Sequence, residues 1–294
     1  MIKNSVCCVI VTYNIGERFY SCYNAIAKQV EKVIIVDNGS NQETISIIKK
    51  LSENQNTISI FNKENLGIAS ALNIGIKRAL DEGFQWILTM DNDSIATNDM
   101  IKDMLEHYSN FNKEDKVVGI FPTYIDLGYN NQNSEEDDIR SNEYKFVNAE
   151  ITSGNLLKSD IFKKVGFFDE KLFIDMVDYE FCFRIRSNGY KLVKVGSAIL
   201  YHNLGNTKVK TILGKKIYCT HHNFVRRYYI TRNRFYTWNK YKEFNFYEIK
   251  KDKKAFLKEL LKIIVLEDQK VKKIKMIFKG FKDYKNNIYG KINL

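Results

Sequence analysis

The sequence predicts an α/β fold, a mostly parallel sheet flanked by helices, with a basic helical extension after it. Three observations lead there. Short continuous apolar runs rich in β-branched residues recur along the first third of the chain, as strands buried on both faces require. Between them lie segments with helical spacing, roughly 10–15 residues long, the alternation expected of strand–helix–strand units. The charge then changes character. Lys240 to Leu294 holds 16 lysines, no arginine and seven acids, so that +9 of the total +11 lies there and the first 239 residues carry only +2.

Cys7 to Thr12 (CCVIVT) reads as the first buried strand, and a helical stretch around Tyr20 to Gln29 follows. Lys32 to Val36 is a second strand, stopped by the turn cluster Asp37-Asn38-Gly39-Ser40. Glu43 to Asn54 is helical and Thr57 to Phe61 is a third strand. Ile68, Leu72, Ile76 and Leu80 fall at helical spacing in a helix that runs to Glu82 and stops at Gly83. Trp86 to Met90 is a fourth strand, running into Asp91-Asn92-Asp93. Asn130 to Asn142 is polar and acidic and reads as a mobile surface loop. A helix near Ser159 to Val165, the segment Phe173 to Gly189 and a strand pair over Lys191 to His202 come next; beyond about Gly205 the pattern turns helical, basic and aromatic. The expected organisation is one α/β domain over 1–205, with halves at 1–125 and 145–205, and a helical basic extension over 206–294.

The 294 residues have an ordinary 44% hydrophobic fraction, and their five cysteines include no C-x-x-C pair. That fits buried, reduced thiols and excludes a disulfide framework. The N-terminus enters a strand without a signal-peptide pattern. No apolar run approaches the roughly 18 residues of a spanning helix. A cytoplasmic protein is expected, soluble or peripheral on the inner face of the membrane.

In sheets of this kind ligands bind at the carboxyl ends of the strands, and the polar clusters Thr12–Asn14, Asp37–Ser40 and Asp91–Asp93 fall there. Trp86-Ile-Leu-Thr-Met-Asp-Asn-Asp-Ser94 carries the sharpest signal. An apolar strand delivers Asp91 and Asp93 at its end, and i, i+2 spacing on a turn lets both point at one centre. Hard divalent cations, Mn²⁺ or Mg²⁺, favour oxygen ligands and bridge carboxylates to phosphates. Alone, such an acidic pair is more often a solvated turn.

Here it follows Val9-Ile-Val-Thr-Tyr-Asn14, Val36-Asp-Asn-Gly-Ser40 and Asn65-Leu-Gly-Ile-Ala-Ser-Ala-Leu-Asn-Ile-Gly75 in order. Together the four motifs resemble the family-2 inverting glycosyltransferases of GT-A fold, and most closely their bacterial rhamnosyltransferase branch, from about Ser5 to Asn233. The resemblance implies roles. Thr12, Tyr13 and Asn14 would line the nucleoside pocket, and Asp37 would accept the N3–H of uracil or thymine, although an aspartate there also suits its own turn. Asn65 and Gly67 resemble the loop near the nucleotide, while Ala71 and Gly75 suit close helix packing. Asp93 matches the direct metal ligand, and Asp91, beside Asn92, matches a contact to the ribose or a metal-bound water. His202, after Ala198-Ile-Leu-Tyr, matches a histidine that completes the metal shell in many relatives; a lone histidine is otherwise more often structural.

The resemblance also assigns the second half. Thr152-Ser-Gly-Asn155 is similar to the acceptor-site turn, which makes Ser153 and Gly154 acceptor candidates. Asp178, in the first turn of a helix whose Val177, Phe181 and Ile185 form one apolar stripe, aligns with the catalytic base. Many members read Glu-Asp where this chain has Val177-Asp178, so Asp175 and Glu180 stay open as substitutes, and all three acids also suit a helix N-terminus. One base and no enzyme nucleophile imply displacement with inversion. Arg226-Arg-Tyr-Tyr-Ile-Thr-Arg-Asn233 is similar to a family stretch in which Arg227 and Arg232 could clamp the diphosphate, or the helix could simply be buried and aromatic.

The implied activity is transfer of a sugar from a nucleotide-diphosphate donor (dTDP or UDP) onto a hydroxyl of a glycan or lipid-linked acceptor. Branch resemblance favours dTDP-L-rhamnose, with UDP-hexoses or UDP-N-acetylhexosamines as the alternative. A sugar-phosphate nucleotidyltransferase would need a Gly-rich basic loop where this chain reads Thr-Tyr-Asn-Ile-Gly-Glu, and a peripheral scaffold that kept the fold would not need Asp93. In the tail, Ala255–Leu266 and Val271–Phe281 combine apolar stripes with lysines. Such helices suit an anionic membrane surface, packing on the catalytic domain, or a second subunit in a homodimer. The lack of arginine there and of any recognition motif argues against nucleic acid.

Overall fold

The computed structural model describes residues 5–126, 143–202, 208–212, 215–219 and 221–293; the acidic stretch at 130–142 lies outside them. The chain divides into two compact units, Met1–Glu170 with Val177–Asn203, and Lys171–Met176 with Leu204–Leu294.

The first unit contains β1 (Val6–Thr12), α1 (Phe19–Ile26), β2 (Lys32–Asp37), α2 (Gln42–Leu51), β3 (Thr57–Phe61), α3 (Ile68–Asp81) and β4 (Trp86–Asp91). It continues through β5 (Ile95–Ala96), α4 (Met100–Tyr108), β6 (Val117–Asp126), β7 (Tyr144–Val147), β8 (Asn155–Lys158), α5 (Asp160–Val165), α6 (Val177–Ser187) and β9 (Lys191–His202). The strand order is β3-β2-β1-β4-β8-β6-β9-β5, with β7 also on β9. β3, β2, β1 and β4 are mutually parallel, as their unbroken apolar runs predict. Beyond β4 the sheet is mixed: β8 runs antiparallel to both β4 and β6, while β6 and β9 are parallel.

Every residue of β1 is buried, because helices cover both of its faces. Ala71 and Gly75 are buried on α3, and Gly75 meets Val9 of β1. α2 starts where the Asn41 side chain accepts the Thr44 N–H at 3.1 Å, an ordinary N-cap. Lys191–His202, expected as a pair of strands, is one continuous strand of 12 residues. Cys7, Cys8, Cys22 and Cys182 are buried free thiols, and burial pushes Cys7 and Cys182 up to about 12.

The second unit contains β10 (Lys208–Ile212), β11 (Lys215–Cys219), α7 (Phe224–Lys240), α8 (Tyr247–Leu266) and α9 (Lys270–Lys285). The hairpin of β10 and β11 occupies a stretch expected to be helical. Its sequence, Lys-Val-Lys-Thr-Ile then Lys-Lys-Ile-Tyr-Cys with Leu213-Gly214 between, is β-branched and near-alternating, which favours strands.

α9 lies close on α7, since a Cβ at Gly280 would stand 2.5 Å from the Tyr228 carbonyl oxygen. Four acids, on α8, on α9 and just after α8, turn toward α7. Asp252 and Glu259 pair with Arg234, Glu267 with Arg227 and Lys273, and Asp283 accepts the Tyr228 hydroxyl. The segment Lys171–Met176 is held in the same unit. Phe173, Asp175 and Met176 adopt φ of 55°, 68° and 66°, a region costly for residues with a Cβ. Asn233 offsets this by donating through Nδ2 to the carbonyls of Leu172, Ile174 and Asp175 at 2.6, 2.7 and 2.9 Å.

Two predictions follow from this unit. Gly280→Ala should destabilise it by about 1–3 kcal/mol through forced separation of α7 and α9, read by denaturant melts. His222 is lowered to about 4 by burial first and then by Arg226 and Arg227. Its folded state therefore binds protons less readily than the unfolded chain, so stability is full above about 6.5 and declines as pH falls toward 4. His222→Gln should flatten that part of a melting-temperature profile against pH.

Candidate active site

Parallel register brings the strand ends together: Thr12 stands opposite Asp37, and Val11 opposite Asp91. Asp37 is buried. Its Oδ2 accepts the N–H groups of Gly39 at 3.2 Å and Ser40 at 3.0 Å, and its Oδ1 accepts the Thr12 hydroxyl at 3.2 Å. Asp37 thus shapes its own turn while keeping acceptor capacity on Oδ1. Thr12 is fully buried, with its hydroxyl engaged by Asp37. Tyr13 is 49% exposed. Asn14, at φ 50°, donates its N–H to Ser40 Oγ and accepts the Asn41 N–H at 2.7 Å.

Asn38, which drew no role from the sequence, is the centre of this end of the sheet. It accepts from the Leu66 N–H at 3.0 Å and Asn62 Nδ2 at 3.2 Å, and it donates to Asn65 Oδ1 at 3.1 Å and the Gly67 carbonyl at 3.3 Å. Asn65 in turn accepts the Gly67 N–H at 2.9 Å, directly before α3. Its only forewarning was its place in the turn after a buried strand.

Asp91, Asp93 and His202 offer ligand atoms that all lie within 4.8 Å of one another. Sheet register explains how residues so far apart in sequence meet. Directly after the Asp91–Asp93 turn, β5 pairs antiparallel with the end of β9, Ile95 opposite Tyr201 and Ala96 opposite Leu200. That alignment sets Ser94 beside His202, with 2.9 Å between Ser94 Oγ and His202 Nδ1. Ser153 donates to Ser94 Oγ at 2.8 Å and accepts the Asp91 N–H at 3.1 Å. With Nδ1 turned to Ser94, the other ring nitrogen is the one left for a ligand. Asn92 is half-buried on the same turn.

Two carboxylates and an imidazole suit Mn²⁺ or Mg²⁺, with water and phosphate oxygens completing the shell. Burial raises the Asp91 carboxyl above its usual range, His202 lowers it, and Asp93 raises it further. A cation at this point would relieve that strain.

Ser153 and Gly154 take a supporting place, not the acceptor contact expected of them. Ser153 is fully buried with its hydroxyl engaged by Ser94 and Asp91. Gly154, at φ 77°, sits where a Cβ would meet Pro122 at 2.6 Å and Leu200 at 2.9 Å.

Asp178 is half-buried in the first turn of α6, where Oδ1 accepts the Tyr179 N–H at 2.8 Å. The two substitutes are engaged elsewhere. Glu180 is buried in an ion pair with Arg184, and Asp175 pairs with Arg226 Nη2 at 2.9 Å within the second unit. The Tyr124 hydroxyl, buried and without a hydrogen-bond partner, is pushed far up by burial first, then by Glu150, Cys182, Asp178 and Asp91.

Arg227 and Arg232 do not have the place expected of diphosphate clamps. Arg227 is 2% exposed and bonded to Glu259 and Glu267. Arg232 is 0% exposed and donates to the carbonyls of Gly290 and Lys171 at 2.8 and 3.1 Å. Their guanidinium groups hold the second unit together.

Comparison with known proteins bears on the family and the fold. A model of the glycosyl transferase family 2 matches residues 7–170. The dTDP-rhamnosyl transferase RfbF of Shigella flexneri is 31% identical over 246 residues, which cover 80% of this chain and 80% of RfbF. Among solved structures, the mannosyltransferase PcManGT of Pyrobaculum calidifontis, in complex with GDP-Man and Mn²⁺, aligns with a TM-score of 0.58 at 14% identity over 80% of this chain and 63% of its own. TarS 1-349 of S. aureus in complex with UDP-GlcNAc aligns with a TM-score of 0.53 at 14% identity over 94% and 71%. These two likenesses identify the fold as GT-A.

Ser94→Ala should leave the fold intact yet weaken Mn²⁺ binding roughly 10- to 100-fold, the scale of lost outer-shell support. Titration followed by the Mn²⁺ paramagnetic resonance signal reads this without turnover. Unchanged affinity would show that Ser94 does not orient His202.

Proposed function

The chain belongs to glycosyl transferase family 2, and on that footing we propose that it is a metal-dependent inverting rhamnosyltransferase, moving L-rhamnose from dTDP-L-rhamnose to a hydroxyl of a cell-surface glycan or lipid-linked oligosaccharide. The observation that carries the metal-dependent part is the convergence of Asp91, Asp93 and His202 at the carboxyl end of β4. The similarity to RfbF supports the donor. We assign catalysis to 1–205, nucleotide binding to 1–125, and acceptor binding to 145–205.

Asp37 accepts N3–H of the pyrimidine through Oδ1, and Tyr13 and Asn14 border the base. The loop of Asn65 and Gly67, tied to Asn38, borders the ribose side. Asp93 and His202 would hold the cation with Asp91 beside them, and the cation would supply charge stabilisation for the departing diphosphate. Asp178 accepts the proton of the acceptor hydroxyl as its oxygen attacks the anomeric carbon opposite the diphosphate. One displacement without an enzyme nucleophile inverts the anomeric configuration.

A donor panel tests the reading: dTDP-L-rhamnose against UDP-hexoses and UDP-N-acetylhexosamines, with and without Mn²⁺. Metal-dependent turnover of the dTDP sugar is expected. Preference for a UDP sugar would replace the donor, and turnover of none by folded protein with acceptor present would remove the catalytic reading. Asp178→Asn should lower kcat roughly 100- to 10,000-fold while dTDP-induced thermal stabilisation persists. Asp93→Asn should abolish the part of that stabilisation that depends on Mn²⁺.

A further inference from the structure

The α8–α9 pair leaves apolar surface uncovered. Leu257, Leu261, Ile264 and Val265 are 62%, 65%, 53% and 65% exposed on α8, and Val271 and Phe278 are 68% and 69% exposed on α9. The α8 residues fall at i, i+4, i+7 and i+8, one continuous stripe. The opposite faces are used: Ile249, Ile263 and Ile277 are buried. Large side chains left in water as a contiguous group mark an interaction surface.

The charge around this stripe is one-sided, for a reason already on the page. Asp252, Glu259, Glu267 and Asp283 are drawn inward by Arg227, Arg234, Lys273 and Tyr228. Lys253, Lys254 and Lys258 on α8, and Lys272, Lys275, Lys282 and Lys285 on α9, stay exposed. Of the acids here only Asp268, between the two helices, is exposed, against seven exposed lysines among those just named. Lys275, Lys282 and Lys285 continue the stripe of Val271 and Phe278 along α9.

We propose that this face docks on an anionic lipid bilayer, with Leu257, Leu261, Ile264, Val265, Val271 and Phe278 in the headgroup–acyl boundary and the lysines on lipid phosphates. Charge decides the occupant. A symmetric contact with a second copy would set the lysine rim against itself, whereas an anionic surface complements it. The long lysine stems reach past the apolar stripe to the headgroup level. None of the described helices is long and apolar enough to cross a membrane, so the contact lies along the surface. The proposal needs neither the donor nor the catalytic assignment, and its test involves no turnover.

The test is flotation of the full chain with vesicles of phosphatidylcholine, with and without phosphatidylglycerol. Binding is expected only to the vesicles that contain phosphatidylglycerol, weakening about tenfold or more in raised salt. The pair Leu261→Asp and Phe278→Asp should lower binding at least about tenfold, with melting temperature as the folding control. A second variant, Lys254→Glu with Lys258→Glu and Lys275→Glu, keeps the apolar stripe and should lose binding as well. Equal affinity for both vesicle types, or none for either, would overturn the proposal. So would a dimer, seen by light scattering, that Leu261→Asp dissociates.

Discussion

Two carboxylates and an imidazole held within 4.8 Å of one another at the end of a buried strand are the constraint around which the first unit is arranged. Like charges about 4 Å apart cost about 1 kcal/mol in water and severalfold more where water is displaced. Burial already pushes the Asp91 carboxyl upward. The apolar length of β1, β2 and β4 stabilises the sheet and lets polar side chains gather only where the strands stop. β5 is only two residues long, yet its pairing with β9 fixes how His202 approaches the aspartates.

The other end of the same strand edge is managed by hydrogen bonds. Asp37 receives three donors, and Asn38 is engaged on both its amide atoms. Satisfied buried groups of this kind rigidify a loop without the cost of an orphaned donor. The loops around Asp37 and Asn38 are thus shaped by their own hydrogen bonds, while the Asp91–Asp93 turn gathers like charge.

How far this was legible from residue order follows from the range of the interactions. β1 to β4 announce themselves through local apolar runs, and Asp91, Asp93 and Asp37 stand out because each directly follows such a run. β6 is interrupted by Gly119 and Pro122, and in the β10–β11 stretch a lysine-rich composition masks the β-branched residues. Arg227 and Arg232 misled because their partners, Glu267 and Gly290, lie 40 and 58 positions further on. Ser94 and Ser153 are ordinary turn residues until strand pairing aligns them, 59 positions apart. Glu180 and Asp175 differ from Asp178 in a way residue order does not show: each pairs with an arginine, Arg184 and Arg226.

The chain passes into the second unit at Lys171 and returns at Val177. Those six residues carry three left-handed backbones, and the amide that steadies them belongs to Asn233 on α7. On a ribosome, everything from β1 to β9 is polymerised before Asn233 exists. The run leading into α6 therefore cannot settle until the C-terminal helices have emerged, and a nascent chain stalled ahead of α7 would carry Asp178 on an unsecured lead-in. The three left-handed backbones thus lack the support of Asn233 until α7 has been made.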